Sequence, residues 1–202
     1  MKIKAIITDV GGVLIREVDK SARVPWQEKL GLTKRQLTHE VYRTGVAKLA
    51  TIGQAKYETL WSDMGRKFAL TANEVARLQA DFHAGDKLNT PLYEFIKELH
   101  KKYKTAILSN AWSDSRGVYI KRYHLDKIVD IMILSAEEGL KKPNKGIFRV
   151  VLKHLEVSPE EVVYIDDRPD NIRTAKSLGM HAVLFKHTQE AIAEIKSLIK
   201  SS

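Results

Sequence analysis

The sequence contains no cysteine, so disulfide bonds, thiolate metal sites and a cysteine nucleophile are excluded. It also has no apolar run of about 18 residues, and a helix that spans a membrane is therefore not expected. Signal-peptide features are lacking as well, because the first residues lead directly into a predicted strand that ends at Asp9. From these absences we expect a cytoplasmic protein.

Acidic residues are fewer than basic ones. Lys and Arg number 34 against 25 Asp and Glu, which gives a formal net charge of +9 at pH 7. A basic chain is a candidate for nucleic-acid binding. Here, however, basic and acidic residues are mixed along the amphipathic segments, and no long run of like charges occurs. We therefore expect no nucleic-acid partner, and a solvated basic surface that attracts anionic metabolites.

The order of the apolar segments predicts the fold class. A chain of 202 residues has room for one good core and a small insert. From residue 90 onward, short apolar runs alternate with helical patterns, which is typical of an α/β protein with a parallel sheet covered on both faces. The predicted strands are the run before Asp9, Thr105–Leu108, Ile128–Leu134, Val162–Ile165 and Ala182–Phe185.

The stretch after the first strand is different in kind. From about residue 20 to residue 86 it shows helical patterns and no convincing strand. Thr33–Val46 is predicted as a single helix, and Thr71–Glu74 is a capping box that opens another. We expect a doubly wound, Rossmann-like sheet of about five strands formed by residues 1–15 and 87–202, with residues 16–86 inserted as a small helical cap.

Two carboxylate clusters follow buried strands. Asp9 ends the first strand and is followed by Gly11 and Gly12, while Asp166 and Asp167 end a later strand. Adjacent carboxylates repel each other unless a cation lies beside them, and hard divalent cations prefer oxygen ligands. Ligands of doubly wound sheets bind beyond the carboxyl ends of the strands. If the two strands are neighbours, the pattern predicts a metal site in which Asp9 could act as a nucleophile.

Two more polar segments follow predicted strands. Ser109 and Asn110 carry short hydrogen-bonding groups that could hold phosphate oxygens, although a simple helix N-cap is the favoured explanation when this segment is taken alone. Lys142 precedes Pro143, which favours extended geometry and could aim the ammonium group at an anion; the alternative is a solvated basic turn. Asn171 lies about one helical turn after the acidic pair and could orient it.

With these residues the chain resembles the phosphatase branch of the haloacid dehalogenase superfamily of hydrolases. The segments that carry the resemblance are Ile6–Leu14, Leu108–Asn110, Lys142–Pro143 and Ile165–Asn171. The helical insert is similar to the small cap that one subclass places after its first motif. The resemblance implies a Mg²⁺-dependent phosphatase that acts on a small phosphorylated metabolite, such as a sugar phosphate.

The same resemblance implies a role for each candidate residue. Asp9 would be the nucleophile that forms an aspartyl-phosphate, and Lys142 would neutralise the phosphate and the nucleophile. The implied phosphate-binding residues are Ser109, Asn110, Gly11 and Lys142. The implied Mg²⁺ ligands are Asp9, Gly11, Asp167 and Asp166, with Asn171 supporting them.

One position departs from the family pattern. The phosphatase branch usually has a second Asp two residues after the nucleophile, as general acid and base, and this chain has Gly11 there. Since general acid–base catalysis commonly contributes ~10²–10⁴ in rate, we expect a slow enzyme, a good leaving group or a substitute donor. A substitute donor could come from the cap or from the loop that carries Trp112, Ser113 and Asp114, and the sequence does not decide between them.

Two alternative functions remain at this point. A 2-haloacid dehalogenase would use the same fold to attack carbon without a metal, but the acidic pair would hinder binding of a carboxylate substrate. A weakly active binding or regulatory protein would explain Gly11, but Asp9, Lys142 and the acidic pair are all present. The sequence does not identify the substrate or the oligomeric state.

Overall fold

A computed structural model describes residues 2–201 of the chain. Its strands, in chain order, are β1 (Ala5–Thr8), β2 (Ile15–Glu17), β3 (Asp86–Leu88), β4 (Lys104–Ser109), β5 (Ile131–Leu134), β6 (Val162–Asp166) and β7 (His181–Leu184). Five of them form one parallel sheet in the order β5-β4-β1-β6-β7. The predicted α/β class with a five-stranded parallel sheet is therefore confirmed.

Helices connect these strands. They are α1 (Val24–Leu30), α2 (Lys34–Arg43), α3 (Gly45–Ala50), α4 (Tyr57–Lys67), α5 (Ala72–Phe82), α6 (Thr90–His100), α7 (Ser115–Lys121), α8 (Ser135–Glu138), α9 (Lys145–Leu155), α10 (Pro169–Ser177) and α11 (Thr188–Lys200). None of the helices in residues 2–201 is long and apolar enough to cross a bilayer.

Both faces of the sheet are buried. Successive side chains of a strand point to opposite faces, and β1 shows this directly. Ile6 packs in one apolar cluster with α6, α7 and α11, whereas Ile7 packs in a second cluster with α9 and α10. This two-sided burial explains why the strands are continuous apolar runs rather than alternating ones.

The helices α1–α5 have an apolar cluster of their own. The prediction of one helix over Thr33–Val46 is wrong, because the chain is extended at Thr44 (φ −65°, ψ 167°) between α2 and α3. The Thr44 hydroxyl accepts a hydrogen bond from Ala47 N at 3.3 Å and so caps α3. The predicted capping box at Thr71–Glu74 is present and opens α5.

A short antiparallel ribbon, β2 with β3, lies where the chain leaves and re-enters the core. Sequence patterns missed it because three residues are too few to show a period of two. The predicted boundaries between the sheet domain and the helical insert, at residues 15 and 87, lie within this ribbon.

The inserted helices touch the carboxyl edge of the sheet at two places. Trp112, in the loop after β4, packs into their apolar cluster and stacks on Tyr42 with ring centroids 5.3 Å apart. The Ser135 hydroxyl, at the end of β5, donates to Thr51 O at 2.6 Å. Gly53 (φ +71°) lies against the same segment, where an added Cβ would collide with the Ala136 carbonyl.

Candidate active site

The predicted carboxylates meet at the carboxyl edge of the sheet. In the parallel ladders, Thr8 of β1 pairs with Ile107 of β4 on one side and with Ile165 of β6 on the other. Asp9 directly follows Thr8, and Asp166 directly follows Ile165. The two carboxylates therefore lie side by side. Together with Asp167, they bring carboxylate oxygens within 4.8 Å of one another.

Asp9 is buried, with 6% of its surface exposed. Its Oδ1 accepts a hydrogen bond from Val10 N at 2.7 Å, and its Oδ2 lies 2.9 Å from Lys142 Nζ. Burial raises the pKa of Asp9 to about 7, the nearby Asp166 charge adds to this, and Lys142 opposes it. One ammonium group thus does not suffice to keep Asp9 fully ionised at neutral pH, so a further cation beside it would favour the carboxylate.

Lys142 is not part of a solvated turn. Its side chain is 1% exposed, and Nζ donates to Leu108 O at 2.7 Å while contacting Asp166 Oδ2 at 2.7 Å and Asp9 Oδ2 at 2.9 Å. An ammonium group has three protons, and three oxygens surround this one. The charge of Lys142 is therefore shared between two buried carboxylates.

Asn110 fixes the main chain of Lys142. Its Oδ1 accepts from Lys142 N at 2.8 Å, and its Nδ2 donates to Lys142 O at 3.0 Å. The side-chain amide of Asn110 thus anchors the loop that carries Lys142, and the assignment of Asn110 to phosphate binding stays a prediction. The Lys142–Pro143 peptide bond is cis.

Asp166 is fully buried and accepts several hydrogen bonds. Lys142 Nζ and the Tyr164 hydroxyl donate to Oδ2, Arg168 N donates to Oδ1 at 2.8 Å, and Asn171 Nδ2 lies 2.9 Å from both oxygens. Burial alone would raise the pKa of Asp166, but Lys142 and the other donors hold that pKa below its ordinary value. A carboxylate has about four acceptor sites, and the donors around Asp166, including Lys142, take up most of them. The role of Asp166 as a Mg²⁺ ligand stays a prediction. Asn171 thus contacts Asp166, one of the two carboxylates that the sequence predicts it to orient.

Asp167 presents an exposed carboxylate toward Asp9. Partial burial, followed by the charge of Asp166, raises the pKa of Asp167, as expected for a carboxylate that lacks enough compensating positive charge. Gly12 (φ +81°) lets the first loop pass close by, since an added Cβ would lie 2.8 Å from Asp167 Cγ. Gly11 is exposed, and a Cβ there would meet no atom of residues 2–201 within 4 Å. Of the three neighbouring carboxylates, Asp9 and Asp167 accept fewer hydrogen bonds than Asp166 does, so they have more capacity left for a cation.

Ser109 ends β4 and is buried beside the site. Two tyrosines near these groups were missed by sequence reasoning. Tyr164 lies two residues before Asp166 on the same face of β6, so the strand period of two could have indicated it. Tyr119 of α7 packs against the apolar cluster on one face of the sheet; burial raises the pKa of its phenol, and Ser109 and Ser115 oppose this. The motif segments gave no signal for it.

The residues considered as substitute proton donors lie at the contact between the core and the inserted helices. Trp112 is buried among the inserted helices, and Ser113 is exposed. Asp114 is half-buried, and its buried Oδ1 has no hydrogen-bond partner among residues 2–201. Burial raises the pKa of Asp114, the charge of His83 opposes this, and the charge of Glu58 adds to it.

A protein-family model described as haloacid dehalogenase-like hydrolase matches residues 3–179 of the chain. Bifunctional epoxide hydrolase 2 of Sus scrofa is 28% identical over 98% of this chain but over only 39% of its own length. The chain thus spans only part of the curated relatives that it matches first, between 19% and 39% of their lengths.

A relative of similar size is the D-ribitol-5-phosphate phosphatase of Bacteroides thetaiotaomicron, 27% identical over 88% of this chain and 89% of the relative. Among solved structures, a HAD family enzyme from the same organism, in complex with magnesium and inorganic phosphate, superimposes with a TM-score of 0.76. It is 21% identical, and the match covers 91% of this chain and 94% of that enzyme. This structural similarity supports the fold.

Proposed function

Because this chain belongs to the haloacid dehalogenase-like hydrolase family, we propose that it is a Mg²⁺-dependent phosphatase that hydrolyses a small phosphorylated metabolite. The observation that carries the proposal is the arrangement at the carboxyl edge of the sheet. Asp9 is buried beside the ammonium group of Lys142, and the exposed carboxylate of Asp167 faces it. The D-ribitol-5-phosphate phosphatase among the relatives supports the same reaction class.

The donor set fits a hard divalent cation. Asp9 and Asp167 supply carboxylate oxygens, which such cations prefer, and Asp9 lacks enough positive charge around it to stay ionised at neutral pH. Asp9, Asp167 and the carbonyl of Gly11 would hold Mg²⁺, whereas Asp166 would act by positioning Lys142. When bound, Mg²⁺ would supply charge neutralisation for the phosphoryl oxygens. The magnesium and phosphate bound in the Bacteroides enzyme are consistent with this assignment.

Asp9 is the proposed nucleophile. Its carboxylate oxygen forms a bond to phosphorus while the bond from phosphorus to the ester oxygen breaks, which gives an aspartyl-phosphate and the free alcohol. Water then attacks phosphorus, and the bond to Asp9 breaks to release inorganic phosphate. Lys142, Ser109 and the backbone N–H groups of the loops at this edge stabilise the charge on the phosphoryl oxygens.

We propose that residues 16–86 act as a cap over this site. Trp112 and Ser135 hold the inserted helices against the carboxyl edge of the sheet, where Tyr42 and Thr51 contact them. A cap in this position excludes bulk water and limits the site to small substrates. This is the basis for assigning a metabolite rather than a macromolecule as substrate.

The proposed function is tested with purified protein, p-nitrophenyl phosphate and a panel of small phosphate esters. We expect phosphate release with Mg²⁺, a loss of about 10²-fold or more when EDTA removes the metal, and recovery on adding Mg²⁺. Absence of Mg²⁺-dependent release across the panel would contradict the proposal. Metal-independent halide release from a 2-haloacid would establish a dehalogenase instead.

Gly12→Ala tests the assignment of Asp167 as a metal ligand. The added Cβ would displace the Asp167 carboxylate and would occupy a backbone conformation with positive φ. We expect the Mg²⁺ concentration for half-maximal activity to rise about tenfold or more. Mutations of residues that orient metal ligands commonly reduce metal affinity by about this factor. Gly45→Ala is the control, because a Cβ at Gly45 meets no described atom within 4 Å. An unchanged Mg²⁺ requirement in Gly12→Ala would argue against Asp167 as ligand.

A further inference from the structure

Two parts of the proposed site come from loops that are far apart in the chain. The loop after β4 begins at Ser109 and runs through Ala111, and the cap reaches the same edge of the sheet with the α3–α4 loop (residues 51–56). The proposed function needs both loops in place at once, because the first contacts the phosphoryl group and the second belongs to the cap that covers it. A side chain that bonds to both loops would link the two requirements.

Ser135 is such a side chain. It follows β5 directly and is fully buried. Its hydroxyl accepts a hydrogen bond from Ala111 N at 2.9 Å and donates to Thr51 O at 2.6 Å. One buried hydroxyl therefore joins the end of β5, the loop after β4 and the α3–α4 loop of the cap.

The Ser135 hydroxyl has a second acceptor within reach. Ala111 O lies 3.2 Å from Ser135 Oγ, but a hydroxyl has only one proton to donate. With Thr51 O in place, the shorter bond to the cap takes this proton. Without Thr51 O, the proton turns to Ala111 O and the buried hydroxyl stays paired. Ser135 thus has one bonding arrangement with the cap engaged and another with the cap released.

On the cap side, the α3–α4 loop is tied to α3. The Thr51 hydroxyl donates to Ala47 O at 2.7 Å, and Thr51 N donates to the same oxygen at 3.0 Å. Gln54 N donates to Leu49 O at 2.9 Å. These bonds hold Thr51 O in a fixed position relative to α3, so the bond to Ser135 reports the position of the helix.

On the core side, the path leads to the groups proposed to hold the phosphoryl oxygens. Ala111 follows Asn110, whose amide bonds to Lys142 N at 2.8 Å and to Lys142 O at 3.0 Å. Ser109 is the residue before Asn110. A shift of Ala111 therefore disturbs the main chain of Ser109 and, through Asn110, that of Lys142.

A second contact between cap and core is less directional. Trp112 stacks on Tyr42 with ring centroids 5.3 Å apart and an angle of 15° between the ring planes. Stacked rings attract each other over a range of offsets, whereas a hydrogen bond weakens steeply when its angle closes. The stack therefore keeps the cap attached, and the bonds of Ser135 respond to small displacements.

We propose that Ser135 is a positioning residue whose hydroxyl couples engagement of the cap to phosphate binding by the loop after β4. This inference rests on the proposed phosphatase function. Phosphate held at Ser109 and Lys142 fixes the loop after β4, Ala111 N then keeps Ser135 oriented, and the Ser135 hydroxyl retains Thr51 O. Because coupling between two sites is reciprocal, an engaged cap also strengthens phosphate binding.

Hydrogen exchange of Ser135→Ala tests the coupling, with inorganic phosphate and Mg²⁺ as the probe. In wild-type protein, saturating phosphate should slow exchange in the peptide that covers residues 51–56 by about fivefold or more. In Ser135→Ala, saturating phosphate should slow it by less than about twofold. The inhibition constant of phosphate, measured against p-nitrophenyl phosphate, should rise about fivefold because Ala111 N loses its acceptor.

Gly53→Ala disturbs the same contact from the cap side and leaves Ser135 unchanged. The added Cβ collides with the Ala136 carbonyl oxygen at a position with positive φ, so the α3–α4 loop has to move away. We expect both effects of Ser135→Ala to recur. Since the two changes act on one contact, the double variant should exceed the more affected single variant by less than about twofold.

Two controls match these variants. Ser177→Ala removes a hydroxyl that donates to Thr174 O at 2.8 Å on α10, and Gly45→Ala adds a Cβ on α3 that meets no described atom within 4 Å. Neither should change the exchange effect of phosphate or its inhibition constant by more than about twofold. Circular dichroism checks that each variant folds; if Ser135→Ala does not fold, Gly53→Ala decides by the same two measurements.

Equal slowing by phosphate in wild-type protein and in Ser135→Ala would overturn the proposal. Wild-type behaviour of Gly53→Ala, additive losses in the double variant, or no slowing in wild-type protein that phosphate inhibits would each do the same. Wild-type protein without Mg²⁺-dependent release from p-nitrophenyl phosphate and the other esters would instead overturn the proposed function itself.

Discussion

Asp9→Asn is expected to reduce phosphate release by about 10⁴-fold or more, because an amide cannot replace the carboxylate that attacks phosphorus. The change is nearly isosteric at a position with 6% exposure. Steady-state release of inorganic phosphate, together with acid trapping of the phosphorylated protein, measures the effect. Wild-type protein should form a trapped phosphoryl adduct, and the variant should form none.

The same variant should not lose stability in metal-free buffer. Burial raises the pKa of Asp9 from 3.8 to about 7, so this carboxylate opposes folding fully above pH 7, and the cost declines as the pH falls from about 7 to about 4. Asn removes the cost, and Lys142 keeps Asp166 and Leu108 O as partners. We expect an unchanged or higher Tm above pH 7, measured by circular dichroism.

Asp170→Asn is the control for this prediction, since it changes a largely exposed carboxylate that pairs with Arg173 on α10. It should leave phosphate release and Tm close to wild type. Activity of Asp9→Asn above about a tenth of wild type would exclude Asp9 as the nucleophile.

The convergence of Asp9 with Asp166 and Asp167 could be predicted from the sequence because it depends on simple rules. Parallel strands with helical crossovers place all their carboxyl ends on one edge. Once β1 lies between β4 and β6, polar residues at those ends have to meet. The physical cost of burying a carboxylate without a partner adds the expectation of a cation beside them.

The individual roles depend on partners that are distant in the chain and were therefore not predictable. Asn110 uses its amide on the main chain of a residue 32 positions later, and the carboxylate of Asp166 is taken up by donors that include Lys142, 24 positions earlier. The types of these side chains are compatible with phosphate or metal binding, and only the three-dimensional arrangement shows that both also contact Lys142.

Smaller differences have local causes. The helix predicted over Thr33–Val46 is interrupted because the Thr44 hydroxyl caps α3 in competition with the continuing helix. The β2–β3 ribbon is too short for a periodic signal.

Lys142→Met is the second change for which we expect a large effect, and it should act on stability as well as on activity. The ammonium group is the shared partner of Asp9 and Asp166, both of which are buried. Removing one partner of a buried ion pair commonly costs about 3–5 kcal/mol, and the loss of positive charge at the phosphate position should lower kcat by about 10²-fold or more.

A double variant distinguishes the electrostatic cause from loss of packing. In Lys142→Met/Asp166→Asn, one of the two uncompensated carboxylates is gone, while Tyr164 and Asn171 can still donate to an amide oxygen at the position of Oδ2. Part of the lost free energy of unfolding should return, measured by urea denaturation, whereas kcat should stay low because the ammonium group is still missing. Lys141→Met, at the neighbouring half-buried lysine, should change neither quantity greatly. Wild-type stability of Lys142→Met would show that the two carboxylates do not depend on this lysine, and full recovery of kcat in the double variant would remove Lys142 from the mechanism.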